Sequence, residues 1–155
     1  MRDKEQFPVE FIEYNSRKYE LACQLRYEFF FAEHNLPWEV VRDIRQADYF
    51  HAAIVVRDSL LAYGQLVPHS NGIYQICQMV VQPDYQGRNL GRKILSTLIE
   101  KAREQEAIAI TLNARLTAIG FYQKLGFQTH GHSFPSTTTG VPHIGMKMKL
   151  HSQLK

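Results

Sequence analysis

The run Met79-Val80-Val81-Gln82-Pro83-Asp84-Tyr85-Gln86-Gly87-Arg88-Asn89-Leu90-Gly91-Arg92 places residue types in an order that suits phosphate binding. It reads as a buried strand, a proline stop, a polar turn with two glycines, and the start of an amphipathic helix. That order points a row of backbone N–H groups and the positive end of a helix at one spot. Pro83 has no N–H to donate and so stops the strand ladder. Gly87 and Gly91 let the backbone approach a ligand closely or enter positive φ. Asn89 is among the few other residue types that tolerate a left-handed conformation. Arg88 and Arg92 add charge where an anion would sit. Taken alone, the segment fits a water-capped strand-to-helix connection equally well.

The elements that must position this turn follow from periodicity. Val9 to Tyr14 alternates as a short strand. Ser16 is a suitable N-cap for a helix running to about Glu33, with Leu21, Leu25, Phe29 and Ala32 on one stripe. Asn35-Leu36-Pro37 ends that helix, and a short polar piece follows through Asp43 and Gln46. Ala52 to Arg57 and Leu60 to Val67 are strands joined by a turn at Asp58-Ser59. A second turn at His69-Ser70-Asn71-Gly72 leads into a strand from Ile73 to Val81. Gly91 to Glu104 is a helix whose apolar stripe is Leu90, Ile94, Leu95, Leu98, Ile99 and Ala102. Ala107 to Leu112 is a strand. Leu116 to Leu125 is a short helix stopped by Gly126. Phe127 to Phe134 and Ile144 to Leu150 are the last strands.

The strand-helix-strand step from residue 73 to 112 requires a parallel pair or a crossover, and the flanking hairpins make the sheet mixed. The fold class expected is α+β, or mixed α/β. The glycine spacing fails the dinucleotide-binding fingerprint, and no acidic residue follows at the required place. No repeat or linker divides the chain, so one domain over residues 1–155 is expected.

Composition narrows the function classes. Hydrophobic residues make up 45% and charged residues 21%, as in soluble globular proteins. The net charge of +3 is scattered, with no basic stripe that would argue for nucleic acid. Lys147 and Lys149 alternate with Met146, Met148 and Leu150 as one solvated strand face. Cys23 and Cys77 fall in a helix and a strand interior and read as reduced, packed thiols rather than a disulfide. Cys77 lacks a local base to make it a nucleophile. His130 and His132 share a strand face, but no ligand set completes a metal site with them or His143, so no metal is expected. The charged start Met1–Gln6 lacks the apolar run of a leader, and no apolar run is long enough to span a bilayer. A cytoplasmic protein with no membrane partner is expected.

The turn and its flanks resemble motif A of the GNAT superfamily of acyl-CoA-dependent N-acetyltransferases. Gln86 and Gly91 match the first and last positions of that family's turn, while Asn89 replaces its middle glycine. Gln78-Met79-Val80-Val81 and Pro83-Asp84-Tyr85 are similar as well. So are Leu112-Asn113-Ala114-Arg115, Ala118, Phe121-Tyr122 and Leu125-Gly126-Phe127. Gly140 to Met146 and Leu25 to Phe30 resemble the closing hairpin and early helix of a poorly characterised GNAT subgroup.

The resemblance implies a central mixed, mostly antiparallel sheet with a splayed parallel strand pair and flanking helices. It implies acetyl-CoA as cosubstrate, its pantetheine arm pairing with Met79, Val80 and Val81. Its pyrophosphate would lie on the amides of Gln86, Gly87, Arg88, Asn89, Leu90, Gly91 and Arg92. Asn113 matches a cofactor-contacting position and is also suited to cap the next helix. Tyr122 matches the tyrosine near the cofactor sulfur, where a phenol can protonate the leaving thiolate. Of the adjacent rings, Phe121 is then expected to face the core. An amine would attack the thioester directly, and a backbone amide near Met79 or Val80 would polarise its carbonyl. Glu33 and His34 fall near where family members place substrate, and His143 precedes the last strand. Each reads first as a surface polar group, and no residue identifies itself as the base. Trp38 either lines the substrate mouth or packs at a helix end. The amine, small molecule or peptide, is not named by the sequence. A non-catalytic acetyl-CoA-binding regulator is the alternative. A homodimer formed by edge pairing of the final strand is also possible.

Overall fold

The computed structural model describes residues 7–150. The segment Met1–Gln6, expected to hold no leader, lies outside them. Among the described residues one mixed sheet contains β1 (Glu10–Ile12), β2 (Phe50–Val56), β3 (Ser59–Pro68), β4 (Ile73–Val81), β5 (Ala109–Arg115), β6 (Gln128–Pro135) and β7 (Pro142–Lys149). Their order is β1-β2-β3-β4-β5-β7-β6, with β4 and β5 as the parallel pair in a mostly antiparallel sheet. Helices α1 (Arg17–Arg26), α2 (Leu90–Glu104) and α3 (Ile119–Gln123) accompany it. The chain falls into two compact units. The first takes residues up to Gln65 with Gln78–Leu98, the second Leu66–Cys77 with Ile99 onward.

In the first unit, Ser16 caps α1 as expected, its hydroxyl oxygen accepting from Tyr19 N at 3.1 Å. The helix does not keep one pitch to Glu33. It is α-helical to Arg26, π-helical over Tyr27–Phe31, and ends in a 3-10 turn at Ala32–His34, where Asn35 turns left-handed at φ 58°. The bulk of the aromatic run gives the reason. Tyr27, Phe29 and Phe30 pack against the same core in which Phe31 is buried, and a wider turn lets all four rings reach it. That core joins Tyr19, Ala22, Cys23 and Leu25 of α1 to Ile12, Ala53, Leu60, Tyr63 and Val80 of the strands. The polar piece after Pro37 forms 3-10 turns at Trp38–Val41 and Ile44–Asp48, but Gln46 within it is buried. The β2–β3 turn falls at Arg57-Asp58 rather than Asp58-Ser59, with Arg57 at φ 58°.

In the second unit, β4 and β5 pair from Ile73↔Ala109 to Ile76↔Leu112. Strand β5 starts later than Ala107 because Ala107 N closes the end of α2 on Ala102 O at 3.0 Å. It ends later than Leu112 because Asn113, Ala114 and Arg115 pair with Gly145, Ile144 and His143 of β7. The residues from Leu116 form a 3-10 turn, Leu116–Ala118, before α3, and Gly126 stops the segment at φ 107°. Strand β7 lies between β5 and β6, so the final strand is not an edge and cannot offer the edge pairing supposed for it. The edge strand there is β6, exposed along its length. Lys147 and Lys149 face solvent beside buried Met146, as the alternation requires.

Candidate active site

The turn after β4 is built from three local causes. Pro83 opens a 3-10 turn, Pro83–Tyr85, whose amides close back as Tyr85 N to Gln82 O at 2.9 Å and Gln86 N to Pro83 O at 3.3 Å. Gly87 and Asn89 then turn left-handed, at φ 85° and 66°. Gly91 does not enter positive φ: it lies in the first turn of α2, and the left-handed positions fall to Gly87 and Asn89. The bond from Lys93 N to Asn89 O, 3.1 Å, opens the ladder of α2. The amides of Leu90, Gly91 and Arg92 precede that bond, among the helix-end donors that have no partner within the helix. A Cβ at Gly87 would meet nothing within 4 Å, so the turn is open there.

Side chains fix this turn to the strand. Gln86 Nε2 donates to Val81 O at 3.1 Å, and Gln82 Nε2 donates to Leu60 O at 2.6 Å. Arg88 lies over the Tyr85 ring at 5.0 Å, and Tyr85 meets the edge of Phe7. Lys93 Nζ donates to Phe7 O at 2.8 Å.

Upstream on β4, Val80 is buried in the core and Met79 packs over Gly64 beside Ile94 and Leu98 of α2. The parallel ladder ends at Ile76, and β4 continues beyond it through Met79, Val80 and Val81. Within that continuation Gln78 takes φ 59°, left-handed for a residue with no preference for it. Glu33 and His34 occupy the 3-10 turn after α1, His34 Nε2 lying 3.6 Å from Glu33 Oε2. Trp38 stacks edge-on against Tyr27, the packing role of its two readings.

The second unit carries Tyr122, Asn113 and His143. Of the ring pair in α3, the expected order is reversed: Tyr122 is buried at 9% exposure and Phe121 stands out at 37%. The Tyr122 ring packs edge-on against the buried ring of Phe127, and Leu125 N and Phe127 N both bond Tyr122 O. Burial, with Cys77 nearby as a lesser cause, pushes the Tyr122 phenol up to about 12, so it holds its proton at neutral pH. Asn113 is not a helix cap. It sits exposed inside β5 opposite Gly145, and its Oδ1 lies 3.8 Å from where a Gly145 Cβ would be. His143 Nδ1 bonds Val141 O at 2.7 Å and stacks on Phe134. The face shared by His130 and His132 is broken by an irregularity at φ 84° on Gly131. Among the described residues no three His, Cys, Asp or Glu side chains gather as a metal site.

The family model described as an acetyltransferase (GNAT) domain matches residues 3–150. The chain belongs to the GNAT acetyltransferase family. Members of this family use acyl-CoA. An uncharacterized N-acetyltransferase, ycf52, of Porphyra purpurea is 44% identical over 52 residues, which is 34% of this chain and 30% of the algal protein. The matched stretch thus spans under a third of that relative's length. The crystal structure of Escherichia coli ElaA is 21% identical, with a TM-score of 0.80 over 93% of this chain and 100% of that one. An aminoglycoside 6'-N-acetyltransferase complexed with coenzyme A is 16% identical, with a TM-score of 0.77 over 96% and 99%. At these identities the structures testify to the shared GNAT fold.

The sequence pattern did not single out one buried group in the GNAT chain. Arg26, at 3% exposure, donates through Nε to Gln78 Oε1 at 2.9 Å, through Nη1 to Gln46 Oε1 at 3.2 Å and through Nη2 to Val41 O at 3.3 Å. Its Cζ lies 5.5 Å over the Tyr63 ring. Gln46 also accepts from Tyr19 and Gln65, and His51 bonds Tyr63 OH at 2.6 Å. The readable signal was a basic residue within an otherwise apolar helix stripe. Among the described residues no helix is long and apolar enough to cross a membrane.

Proposed function

We propose that the protein transfers an acetyl group from acetyl-CoA to a primary amine by direct attack, working as one acetyltransferase domain. The observation that carries this reading is the turn itself, in a chain of the GNAT family. Gly87 and Asn89 are left-handed ahead of α2, and the amides of Leu90, Gly91 and Arg92 precede its first bond. Donors of that kind suit a pyrophosphate. Gly87 to Arg92 hold it, Arg88 and Arg92 supplying charge, while Gln86, its amide closed on Pro83 O and its side chain on Val81 O, sets the shape of the turn. Met79 and Val81 offer backbone groups to the pantetheine arm along the part of β4 beyond its ladder with β5. Asn113 contacts the cofactor from β5.

Tyr122 supplies the leaving group with a donor. Burial makes the phenol a weaker acid than a thiol, so full transfer to sulfur is uphill. Tyr122 therefore acts first as a hydrogen-bond donor to the departing sulfur, and its proton follows as charge builds there. A backbone amide near Met79 or Val80 polarises the thioester carbonyl. Glu33, His34 and His143 are proposed as contacts for the amine.

The test is thiol release from acetyl-CoA against a panel of primary amines, among them polyamines, aminoglycosides and lysyl peptides. Release with one class, lost on Tyr122→Phe, supports the reading. Tight CoA binding with no release against any amine rejects transfer.

A further inference from the structure

Arg26 and Gln78 join two irregular pieces of backbone. Arg26 is the last residue of α1, and the π-helical turn Tyr27–Phe31 starts directly after it. Such turns are rare and are frequent at functional sites. Gln78 is left-handed in the interior of β4, two residues past the last pair of the parallel ladder. A left-handed residue within a strand swings the adjoining peptide planes off the ladder direction. Neither conformation is stable by preference, so the surrounding structure must hold it, the ring packing for the π-turn and a side-chain bond for Gln78.

The Arg26 Nε to Gln78 Oε1 bond, 2.9 Å, links them. The guanidinium is further held by Gln46 Oε1, Val41 O and Cys23 Sγ, and its face packs on Tyr63. All these partners are uncharged. A charge buried among neutral acceptors is costly, and hydrophobic packing would fill the same volume more cheaply. A rigid planar fork can tie three elements at fixed angles, as a methionine or a lysine cannot. The elements tied are α1, the segment around Val41 and Gln46, and β4.

We propose that Arg26 is a positioning residue for acyl transfer: by holding Gln78 left-handed it turns the peptide that follows, so that the backbone amide of Met79 meets the carbonyl of the acyl thioester. The inference rests on the acyl-CoA reading of β4 given above. It adds a residue that touches neither cofactor nor substrate. It also explains why the irregular residue in β4 is a glutamine rather than a glycine. The side chain is the handle by which α1 sets the strand.

The experiment follows the thioester carbonyl stretch of acetyl-CoA, labelled with carbon-13 at the carbonyl, bound to the full chain. It is run beside calorimetric binding of CoA, which lacks that carbonyl. The wild type is expected to show a stretch shifted to lower frequency than free acetyl-CoA. Arg26→Met and Gln78→Met are each expected to lose that shift while CoA affinity stays within about twofold. If Arg26→Met does not fold, Gln78→Met alone carries the test, since it removes the same bond and leaves Arg26 its other partners. A full shift retained in Gln78→Met overturns the proposal. A CoA affinity that falls in step with the shift also overturns it, by reducing Arg26 to general support of the fold. Failure of the acyl-CoA reading shows separately, as a wild type that binds no CoA.

Discussion

A methyl group added at Gly64 tests how closely the packing of β3 governs Met79. Gly64 is buried in β3, and a Cβ there would lie 2.6 Å from Met79 Sδ, 2.9 Å from Ile94 Cγ2 and 3.1 Å from Leu98 Cδ1. Ordinary contacts between such atoms need about 3.5–4.0 Å, so Met79 must withdraw by roughly 1 Å. The Ile94 methyl is branched at its own Cβ and yields less. Overpacking of this kind costs about 1–3 kcal/mol. Replacing a strand glycine returns about 0.5–1 kcal/mol of backbone entropy. The net expectation for Gly64→Ala is a loss of about 1 kcal/mol, which lowers a urea midpoint by about 0.5 M at a slope near 2 kcal/mol/M. Because Met79 is a proposed cofactor contact, CoA affinity should fall as well. Met79→Ala vacates the space, so Gly64→Ala with Met79→Ala should be less destabilised than the sum of the single changes. A raised midpoint for Gly64→Ala, or strict additivity in the pair, would refute this account of the packing.

The turn predicts opposite results at one position. Asn89→Gly keeps the left-handed backbone and should bind CoA like the wild type, whereas Asn89→Val opposes φ 66° by about 1–2 kcal/mol and should weaken CoA about tenfold in calorimetry. Equal affinities would show that the turn does not hold the phosphates. Tyr122→Phe should lower turnover far more than CoA affinity, and unchanged turnover removes Tyr122 from the reaction. Burial raises the phenols of Tyr19, Tyr63 and Tyr122, the last to about 12. Stability from them is complete below pH about 10, the unfolded value, and is lost as pH rises through the folded values, so urea midpoints should drop steadily above pH 10. His51 acts on the other side. Burial lowers it, so its contribution is present above about 6.5 and is lost as pH falls below that, a loss that His51→Gln should reduce in urea melts.

The asparagines show what was legible in this chain. Of its five, Asn15, Asn35, Asn71 and Asn89 are left-handed at turns, where a residue tolerant of positive φ is needed. Asn113 sits in a strand instead. The Asn89 conformation in the turn followed from residue type for that reason. Strand β4 and the stripe of α2 were legible because periods of two and 3.6 are imposed by one buried face. Gln78 was not legible. Glutamine has no left-handed preference, and what holds it there comes from Arg26, 52 positions away in sequence. The change of pitch after Arg26 likewise depends on four rings sharing one core, which no local pattern encodes. The orientation of Phe121 and Tyr122 failed for a related reason. Apolarity ranks Phe121 as the inner ring, but Tyr122 is the one packed against buried Phe127.

In the proposed function, the turn from Gln86 to Arg92 carries the phosphates of an acyl-CoA. The most direct measurement is thermal unfolding with acetyl-CoA, CoA or ATP, on the wild type and on Asn89→Val. A ligand that binds the folded state alone raises the midpoint by an amount set by its affinity and concentration. The midpoint is expected to rise with acetyl-CoA and CoA, not with ATP, and to rise less in Asn89→Val. No rise in the wild type at saturating acetyl-CoA would contradict that role of the turn.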